Sequence, residues 1–456
     1  MNFVAPNVPP SNLQEPSTPP SSTPPIPQSS SLFYQKPQHS PILIGVLCGV
    51  IGLVVGGLSI FGIIKLSNPE PEPSCCVTPL EPEQPKIPNN LTTSFLSLEP
   101  ERQNVIYSPL SIRYGLSLLN EGAGTTTKAE IEKILGNETL PVYQNIQDQM
   151  SLANGIFIRD NFSEEILPAY TDYVAEAYDA DVIYDSFENA TNIDKWVKNK
   201  TFNLIDDTGI EVTPATEMVL ANALAIQMNW QHQFDSDDTH GASFYKNDDT
   251  EIEATTLTQV TTAGDVSYYT DDDVTLLSLP LAPTAETALE FVAVMPSGDL
   301  ADYIKTLDLK KLQTKLYQST TADNTDAGVL IRIPKFNFDY ELQFMDDLKR
   351  LGVTEAFTGA ADFSNMASTP LYVSNAIHKA NIDFSEDGIK AAAVTAFVLM
   401  ETAVMEPGGE VPKPVEIIID HPFLFLIRDQ EDGTLWFVGA VYEPNLWEND
   451  AASYRK

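Results

Sequence analysis

The sequence predicts an α+β domain with large sheets, preceded by a disordered tail and one transmembrane helix. Three observations support this prediction: a sharp change in proline content, one long apolar run without charge, and alternating helical and strand-like patterns. Of the 33 prolines, 18 lie in the first 91 residues, so the chain changes character near residue 90. The remaining length is sufficient to bury a large core.

The N-terminal part is predicted to be a disordered tail followed by a membrane span. Residues 1–41 are rich in Pro, Ser and Gln, a composition that buries too little apolar surface to fold. Residues 42–64 carry no charge over 23 positions, which is long enough to cross the lipid bilayer. We therefore predict a transmembrane helix over 42–66. Lys36 and Lys65 flank it almost symmetrically, so charge does not set its orientation.

Residues 67–90 are predicted to form an extended, acidic, Pro-rich linker. The three cysteines are Cys48, Cys75 and Cys76, so the domain after them has no disulfide or thiolate metal site. Pairing of Cys75 and Cys76 between chains stays open. The folded domain is predicted over 91–448, followed by a C-terminal tail at 449–456.

Charge excludes some partners. The chain has 26 basic and 64 acidic side chains, and all but 3 and 5 of these follow residue 91. Such a domain lacks the basic surface that nucleic acids require. The acidic runs lack the ligand spacing of a calcium loop, so we predict neither a metal nor a cofactor.

The domain mixes both types of secondary structure. Residues 111–119 and 193–205 have helical periodicity. Runs at 289–295, 329–338, 415–420, 423–429 and 434–442 are strand-like, and a turn at 430–433 joins the last two. No internal repeat is present.

Short phrases along the domain match one family, in that family's order. They are Asn104–Ile112, Gly122–Thr125, Asn222-Ala223, Trp230 with Phe234, Ile333–Phe336, Leu351–Val353, Ala356-Phe357, Asp362–Ser364, Val373-Ser374, His378–Ala380, Glu386–Gly388, Ala391–Ala393 and Asp420–Phe425. Together these phrases resemble the serpins over about residues 91 to 446. The resemblance implies a serpin fold: three β-sheets, about eight helices and an exposed reactive-centre loop.

Two regions depart from the serpin pattern. The first helix near Leu91–Leu98 is short, and the stretch from Ile134 to Met150 is too short for the helix that follows there in other serpins. In some serpins that helix binds heparin. Its shortening and the acidic charge argue against a heparin-type polyanion as a partner.

The loop after Glu386 has the composition of a strand. Residues 389–399 contain no proline and one charge, and they are small or β-branched in the main. Strand alternation places Lys390 on the face opposite Ile389, so insertion into a sheet would leave the charge outside. The predicted hinge comprises Glu386, Gly388, Ile389, Ala391, Ala392, Ala393 and Thr395.

The resemblance implies a suicide-substrate inhibitor of serine or cysteine proteases and not an enzyme. The seventeenth residue counted from Glu386 is Thr402, which predicts a reactive bond between Thr402 and Ala403 and an elastase-like or subtilisin-like target. Met400, Glu401 and Met405 are alternatives for the cleaved residue. Ile389 stands where inhibitory serpins usually have Thr or Ser, and Lys390 stands where they usually have Glu. A non-inhibitory binding or chaperone-like module is therefore the alternative function.

By the same resemblance, two groups of residues control the loop. Ser108, Ser111, Asn222 and His378 are expected to form a hydrogen-bonded cluster beneath the central sheet. A Ser-His hydrolase is the competing interpretation of this cluster, although no nucleophile-elbow motif accompanies it. Trp230, Lys335 and Glu386 are expected to meet where the loop enters the sheet. We expect a single-pass protein of the cell membrane, held in the bilayer by residues 42–64 with the domain outside the cell.

Overall fold

The computed structural model describes residues 91–448, apart from 99–101, 137–139, 141–142, 144, 147, 285–286, 343, 377 and 390–411. No helix in this part of the chain is long and apolar enough to span a membrane. The predicted tail, transmembrane helix, linker and C-terminal tail lie outside the described residues. The predicted reactive bond lies outside them as well.

Eight α-helices occur in the described part of the chain. They are α1 (Leu91–Leu98), α2 (Pro109–Gly122), α3 (Thr125–Leu135), α4 (Pro168–Tyr178), α5 (Thr191–Lys200), α6 (Leu300–Lys305), α7 (Leu309–Tyr317) and α8 (Phe344–Leu351). Short 3-10 turns lie at Asp160–Phe162, Ser236–Asp238, Ala322–Asn324 and Glu355–Phe357. Of the described residues between 136 and 149, none is helical, consistent with the shortening predicted after α3.

Eighteen strands complete the described fold. The first nine are β1 (Val105–Tyr107), β2 (Met150–Arg159), β3 (Ala180–Asp185), β4 (Met218–Ile226), β5 (Met228–Asn229), β6 (His240–Tyr245), β7 (Glu251–Thr261), β8 (Ser267–Thr270) and β9 (Val274–Pro280). The others are β10 (Leu289–Pro296), β11 (Thr320–Thr321), β12 (Val329–Pro334), β13 (Phe336–Leu342), β14 (His378–Phe384), β15 (Gly388–Ile389), β16 (Val415–Ile418), β17 (Phe423–Asp429) and β18 (Leu435–Val441).

The strands form four hydrogen-bonded sheets. Their orders are β1-β18-β17-β10-β9-β8-β11, β16-β12-β7-β6, β13-β14-β15-β5 and β3-β2-β4. The sequence predicted three sheets. The difference arises at the last two, because the strand order of the described residues contains no ladder between β4 and β14. The central sheet is thus divided at that position.

The strand-like runs at 289–295, 423–429 and 434–442 are confirmed as β10, β17 and β18. Side chains on both faces of β10 are buried: Phe291 and Ala293 pack into one cluster, and Val292 and Val294 into another. A strand that is covered on both sides requires a continuous apolar run and not an alternating one. The seven-stranded sheet is therefore covered on both faces at β10.

Three predicted elements differ from the structure in extent, one of them the strand predicted over 415–420, which ends at Ile418 as β16. The helix predicted over 193–205 stops at Lys200, because Phe202 and Asn203 adopt left-handed φ angles of 53° and 63° that no α-helix accommodates. The strand predicted over 329–338 is two strands, β12 and β13, which belong to different sheets. Lys335 lies at the break between them, where its backbone N–H donates to the carbonyl of Thr255.

Candidate functional site

The division of the central sheet leaves an opening between β4 and β14, which we call the slot. A small, solvent-open cavity of about 20 Å³ lies there. Leu224 and Ile226 line it from β4, and Ala380 and Ile382 line it from β14. Its further lining residues are Ile106, Thr201, Leu204, Ile205, Ala225, Asn381, Ile389, Ile427 and Phe437. The lining is mainly apolar, which suits a strand with small apolar side chains.

The first part of the predicted hinge already lies in the slot, at the end where β5 follows β4, which we call its top. β15 pairs antiparallel with β14 through Ile389 and Phe384, and antiparallel with β5 through Ile389 and Met228. Ile389 is only 4% exposed. The hinge thus begins as a strand between the two halves of the sheet. Of the other predicted hinge residues, Ala391, Ala392, Ala393 and Thr395 lie outside the described part of the chain.

Gly388 allows β15 to form between β14 and β5 for two reasons. Its φ is 155°, a conformation that side chains with a Cβ rarely adopt. A Cβ at this position would also collide with the carbonyl oxygen of Met228. The glycine therefore permits the close approach of β15 to β5.

The three residues expected where the loop enters the sheet do meet there. The Nζ of Lys335 lies 2.7 Å from Oε2 of Glu386. The indole N–H of Trp230 donates to the carbonyl of Ser385 at 2.8 Å, and its backbone N–H donates to the carbonyl of Asp387 at 2.9 Å. Trp230 is 3% exposed, and its ring lies 5.0 Å from that of Phe384. The chain over residues 385–387, where the hinge begins, is therefore fixed on several sides.

Glu386 is ionised in this environment. Burial raises its pKa, but the hydrogen bond and charge of Lys335 and the hydrogen bond from Thr239 lower it more, so the pKa is below its usual value. Thr239 donates its hydroxyl to Oε1 at 3.0 Å. Sequence reasoning missed Thr239, since its only signal is its position after the acidic turn that follows Phe234.

The four residues of the predicted polar cluster are also brought together. Ser108 caps α2, because its Oγ accepts the backbone N–H of Ser111 at 3.0 Å. Ser111 donates its hydroxyl to Oδ1 of Asn222. The backbone N–H of Ser108 donates to Nε2 of His378 at 3.0 Å. The cluster therefore ties α2 to both edges of the slot, through Asn222 on β4 and His378 on β14.

His378 is neutral in this arrangement. Burial of its ring among protein atoms lowers its pKa to about 4, although part of the residue touches solvent. Because its Nε2 accepts the backbone N–H of Ser108, that nitrogen is not paired with the hydroxyl. This geometry differs from a Ser-His nucleophile, in which the imidazole accepts the serine hydroxyl proton.

The cluster contains one further residue that the sequence analysis missed. The amide of Asn222 donates to Oδ1 of Asn154 at 2.8 Å, and the amide of Asn154 donates to the carbonyl of Tyr178 at 2.8 Å. Asn154 is 3% exposed. Its signal in the sequence is an asparagine in the middle of the mainly apolar β2. The polar network therefore extends across the sheet.

Comparison with known proteins identifies this arrangement. The profile of the family described as "Serpin (serine protease inhibitor)" matches residues 89–444. The chain belongs to the serpin family. The resemblance inferred from the sequence is thus confirmed, and serpins are generally inhibitors of proteases and not catalysts.

Serpins from distant organisms are similar to this chain. Neuroserpin of Gallus gallus is 28% identical over 379 residues, covering 78% of this chain and 90% of neuroserpin. Serpin-Z1C of Triticum aestivum is 28% identical over 387 residues, covering 77% and 94%. The native thermophilic serpin tengpin superposes with a TM-score of 0.65 at 24% identity, covering 78% and 92%. Thyroxine-binding globulin superposes with a TM-score of 0.63 at 22% identity, covering 78% and 98%. These two structures show that the fold is shared.

Proposed function

We propose that this serpin is a suicide-substrate inhibitor of serine or cysteine endopeptidases. The protease nucleophile attacks the carbonyl of Thr402, and the amine of Ala403 leaves. The cut loop then enters the slot as a new strand, while the protease remains attached as an acyl-enzyme. Strand addition of this kind converts unpaired edges into hydrogen-bonded ones.

The observation that carries this proposal is the register of β15. Ile389 lies opposite Phe384 on one side and Met228 on the other. If the same register continued, Ala391 would lie between Ile382 and Ile226. Two small side chains, at 391 and 393, would then fill the apolar part of the slot.

The continued register would also place the one polar residue of the inward face, Thr395, beside hydrogen-bonding partners. Ala393 would lie between Leu224 and Ala380. Thr395 would fall between His378 and Asn222, where its hydroxyl would have hydrogen-bonding partners. A buried hydroxyl without partners is costly, so this match supports insertion.

The target follows from the side chain that enters the protease pocket. Thr402 suits the small pocket of an elastase-like protease or the tolerant pocket of a subtilisin-like one. Met400 or Met405 would suit a larger apolar pocket, and Glu401 a protease that cuts after acids. The mass of the released C-terminal peptide distinguishes these sites.

We further propose that the protein is anchored in the cell membrane through residues 42–64, with the serpin domain outside the cell. The length and apolar character of this uncharged segment support a single span. External display is supported by the proposed function, because the target would be a secreted or foreign protease. The acidic linker would hold the domain away from the lipid.

A non-inhibitory binding or chaperone-like serpin is the alternative. Ile389 is the residue that favours it, because its large side chain is already buried at the top of the slot. A hinge fixed there would resist further insertion.

The test uses the full chain in detergent micelles, mixed with elastase-, subtilisin-, trypsin- and chymotrypsin-like proteases. We expect a complex that survives a denaturing gel and a released peptide that begins at Ala403. A peptide with a different first residue moves the reactive bond. Clean cleavage by every protease without a stable complex would refute inhibition and favour the binding module.

A further inference from the structure

A larger, solvent-open cavity lies between α2 and α3. Its volume of about 370 Å³ is within the range of about 300–1,000 Å³ that is typical of small-molecule sites. Its lining is mainly polar and carries charges of both signs. The lining residues are Arg113, Ser117, Asn120, Glu132, Leu135, Gly136 and Leu140. None of them belongs to the groups assigned above to loop insertion.

Three of the polar side chains come from one face of α2. Arg113, Ser117 and Asn120 are separated by four and three residues, the spacing that puts helical side chains in a row. Ser117 is only 9% exposed. A helix normally turns an apolar face toward its neighbour, so packing alone does not require a polar row beside α3. The row can instead form hydrogen bonds to a molecule in the cavity.

Asn120 carries an acceptor without a partner. Its Oδ1 is buried and accepts no hydrogen bond from the described residues, although the side chain lines the cavity. A buried acceptor that is left unpaired destabilises the fold. Rotation of the terminal amide exchanges its oxygen and its NH₂ group, so Asn120 can offer either an acceptor or a donor to a ligand. A bound N–H donor would therefore remove a cost that the free protein carries.

The two charged residues of the cavity are set apart along the helices. Nη2 of Arg113 donates to the carbonyl of Leu135 at 3.4 Å, which places the last turn of α3 beside Arg113. Glu132 lies three residues before Leu135, a distance of roughly 5 Å along the helix axis. Of the ion pairs among described residues, none joins Glu132 to Arg113; Glu132 lies 3.8 Å from Lys128, and its side chain is 54% exposed. A ligand can thus approach both charges.

The charge of the whole chain narrows the class of ligand. Because 64 acidic side chains outnumber 26 basic ones, the protein repels free anions. A simple carboxylate or phosphate is therefore a poor ligand for Arg113. A molecule that carries both a carboxylate and an ammonium group keeps the attraction of Arg113, has no net negative charge, and adds an attraction to Glu132.

We propose that this cavity binds a small zwitterion of the amino-acid class, either a free amino acid or a dipeptide. The carboxylate would lie at Arg113 and Ser117, and the amino group at Glu132 and Asn120. The cavity volume accommodates a molecule of either size. This inference does not rest on the proposed inhibitory function, because loop insertion uses none of these side chains.

The test screens the twenty L-amino acids and the dipeptide alanylalanine against the full chain in detergent micelles. A molecule that binds only the folded state raises the midpoint of thermal unfolding, and equilibrium dialysis then gives its affinity. We expect saturable binding of one molecule per chain for at least one zwitterion. The matching α-hydroxy acid lacks the amino group, and the matching amine lacks the carboxylate. Each should bind about tenfold more weakly, as for the loss of one charged hydrogen bond.

Two variants remove the proposed contacts of the amino group. Asn120→Leu and Glu132→Gln should each weaken binding about tenfold. Without ligand, Asn120→Leu should unfold at the parent temperature or above it, because an unpaired acceptor is lost at similar side-chain size; a purely structural asparagine would instead lower that temperature. The matched control is Glu176→Gln, which neutralises an exposed carboxylate of α4 outside the cavity and should bind as the parent does.

Three results would overturn the proposal. If no zwitterion binds, the cavity is not an amino-acid site. If the α-hydroxy acid binds as tightly as the amino acid, the amino group is not recognised. If Asn120→Leu and Glu132→Gln both bind like the parent, the ligand lies elsewhere on the protein. Protease inhibition is tested separately by the complex on the denaturing gel.

Discussion

A carboxylate placed on the inward face of the loop should convert this protein from an inhibitor into a substrate. In Ala393→Glu the new side chain would lie between Leu224 and Ala380 if the register of β15 continues. Those two residues are 8% and 5% exposed, so the carboxylate would lose nearly all of its water. Removing one unpaired charge from water costs several kcal/mol in real proteins.

A cost of only about 3 kcal/mol in the insertion step slows it more than 100-fold. Hydrolysis of the acyl-enzyme then finishes before the protease is trapped. The matched control is Ala392→Glu, which places the same charge one residue earlier on the outward face. We expect Ala392→Glu to retain inhibition close to that of the parent.

The assay is the ratio of stable complex to cleaved inhibitor on a denaturing gel, with one protease at fixed concentration. We expect mainly complex for the parent and Ala392→Glu, and mainly cleaved protein for Ala393→Glu. If the two variants behave alike, the inferred register is wrong. If Ala393→Glu still traps protease as well as the parent, burial of the inward face does not occur.

Three further predictions concern the ends of the slot. Lys335→Met leaves the carboxylate of Glu386, whose side chain is 16% exposed, without its cation. We expect urea titration to show a loss of about 1–3 kcal/mol in the free energy of unfolding. The control Lys335→Arg keeps a cation and should lose little. Gly388→Ala should expel β15 from the sheet. We expect a change in the fluorescence of Trp230 and faster proteolysis at the hinge. An unchanged spectrum would contradict the close packing of Gly388. Burial lowers the pKa of His378 from an ordinary 6.5 to about 4, so as pH falls the histidine is protonated in the unfolded chain before it is protonated in the folded one. The free energy of unfolding should therefore decrease by at most about 3 kcal/mol between pH 6.5 and pH 4, and this histidine should leave it level above pH 6.5. A pH profile that His378→Gln leaves unchanged would show that this histidine has no part in the decrease.

Several parts of the fold were predictable because local pattern decides them. The apolar runs of β10, β17 and β18 indicate strands, since a strand buried on both faces needs no polar alternation. Ser108 before Pro109 indicates the start of α2, since both residues suit a helix N-terminus. The meeting of Lys335 with Glu386 came only from the resemblance to serpins, because 51 residues separate them in the chain.

Other features depended on distant contacts. The helical period of 193–205 continues past Lys200, yet the positive φ angles of Phe202 and Asn203 end the helix there. Nothing in the sequence near Asp207 or Gly209 signals their contact with Lys379, because that contact exists only after α5 and β14 have packed in the same domain. Backbone acceptors such as the carbonyl of Asp207 are present at every residue, so sequence cannot single them out.

The sequence alone identified the family and the strands β10, β17 and β18, because family phrases and continuous apolar runs are short-range features of residue type. Only the tertiary structure decided that the central sheet is divided, that Ile389 is already buried between its halves, and that Lys379 on β14 donates to the backbone carbonyl of Asp207. Strand pairing and burial are set by the sum of many long-range contacts. A residue's neighbours in space therefore become known only when the whole domain is assembled.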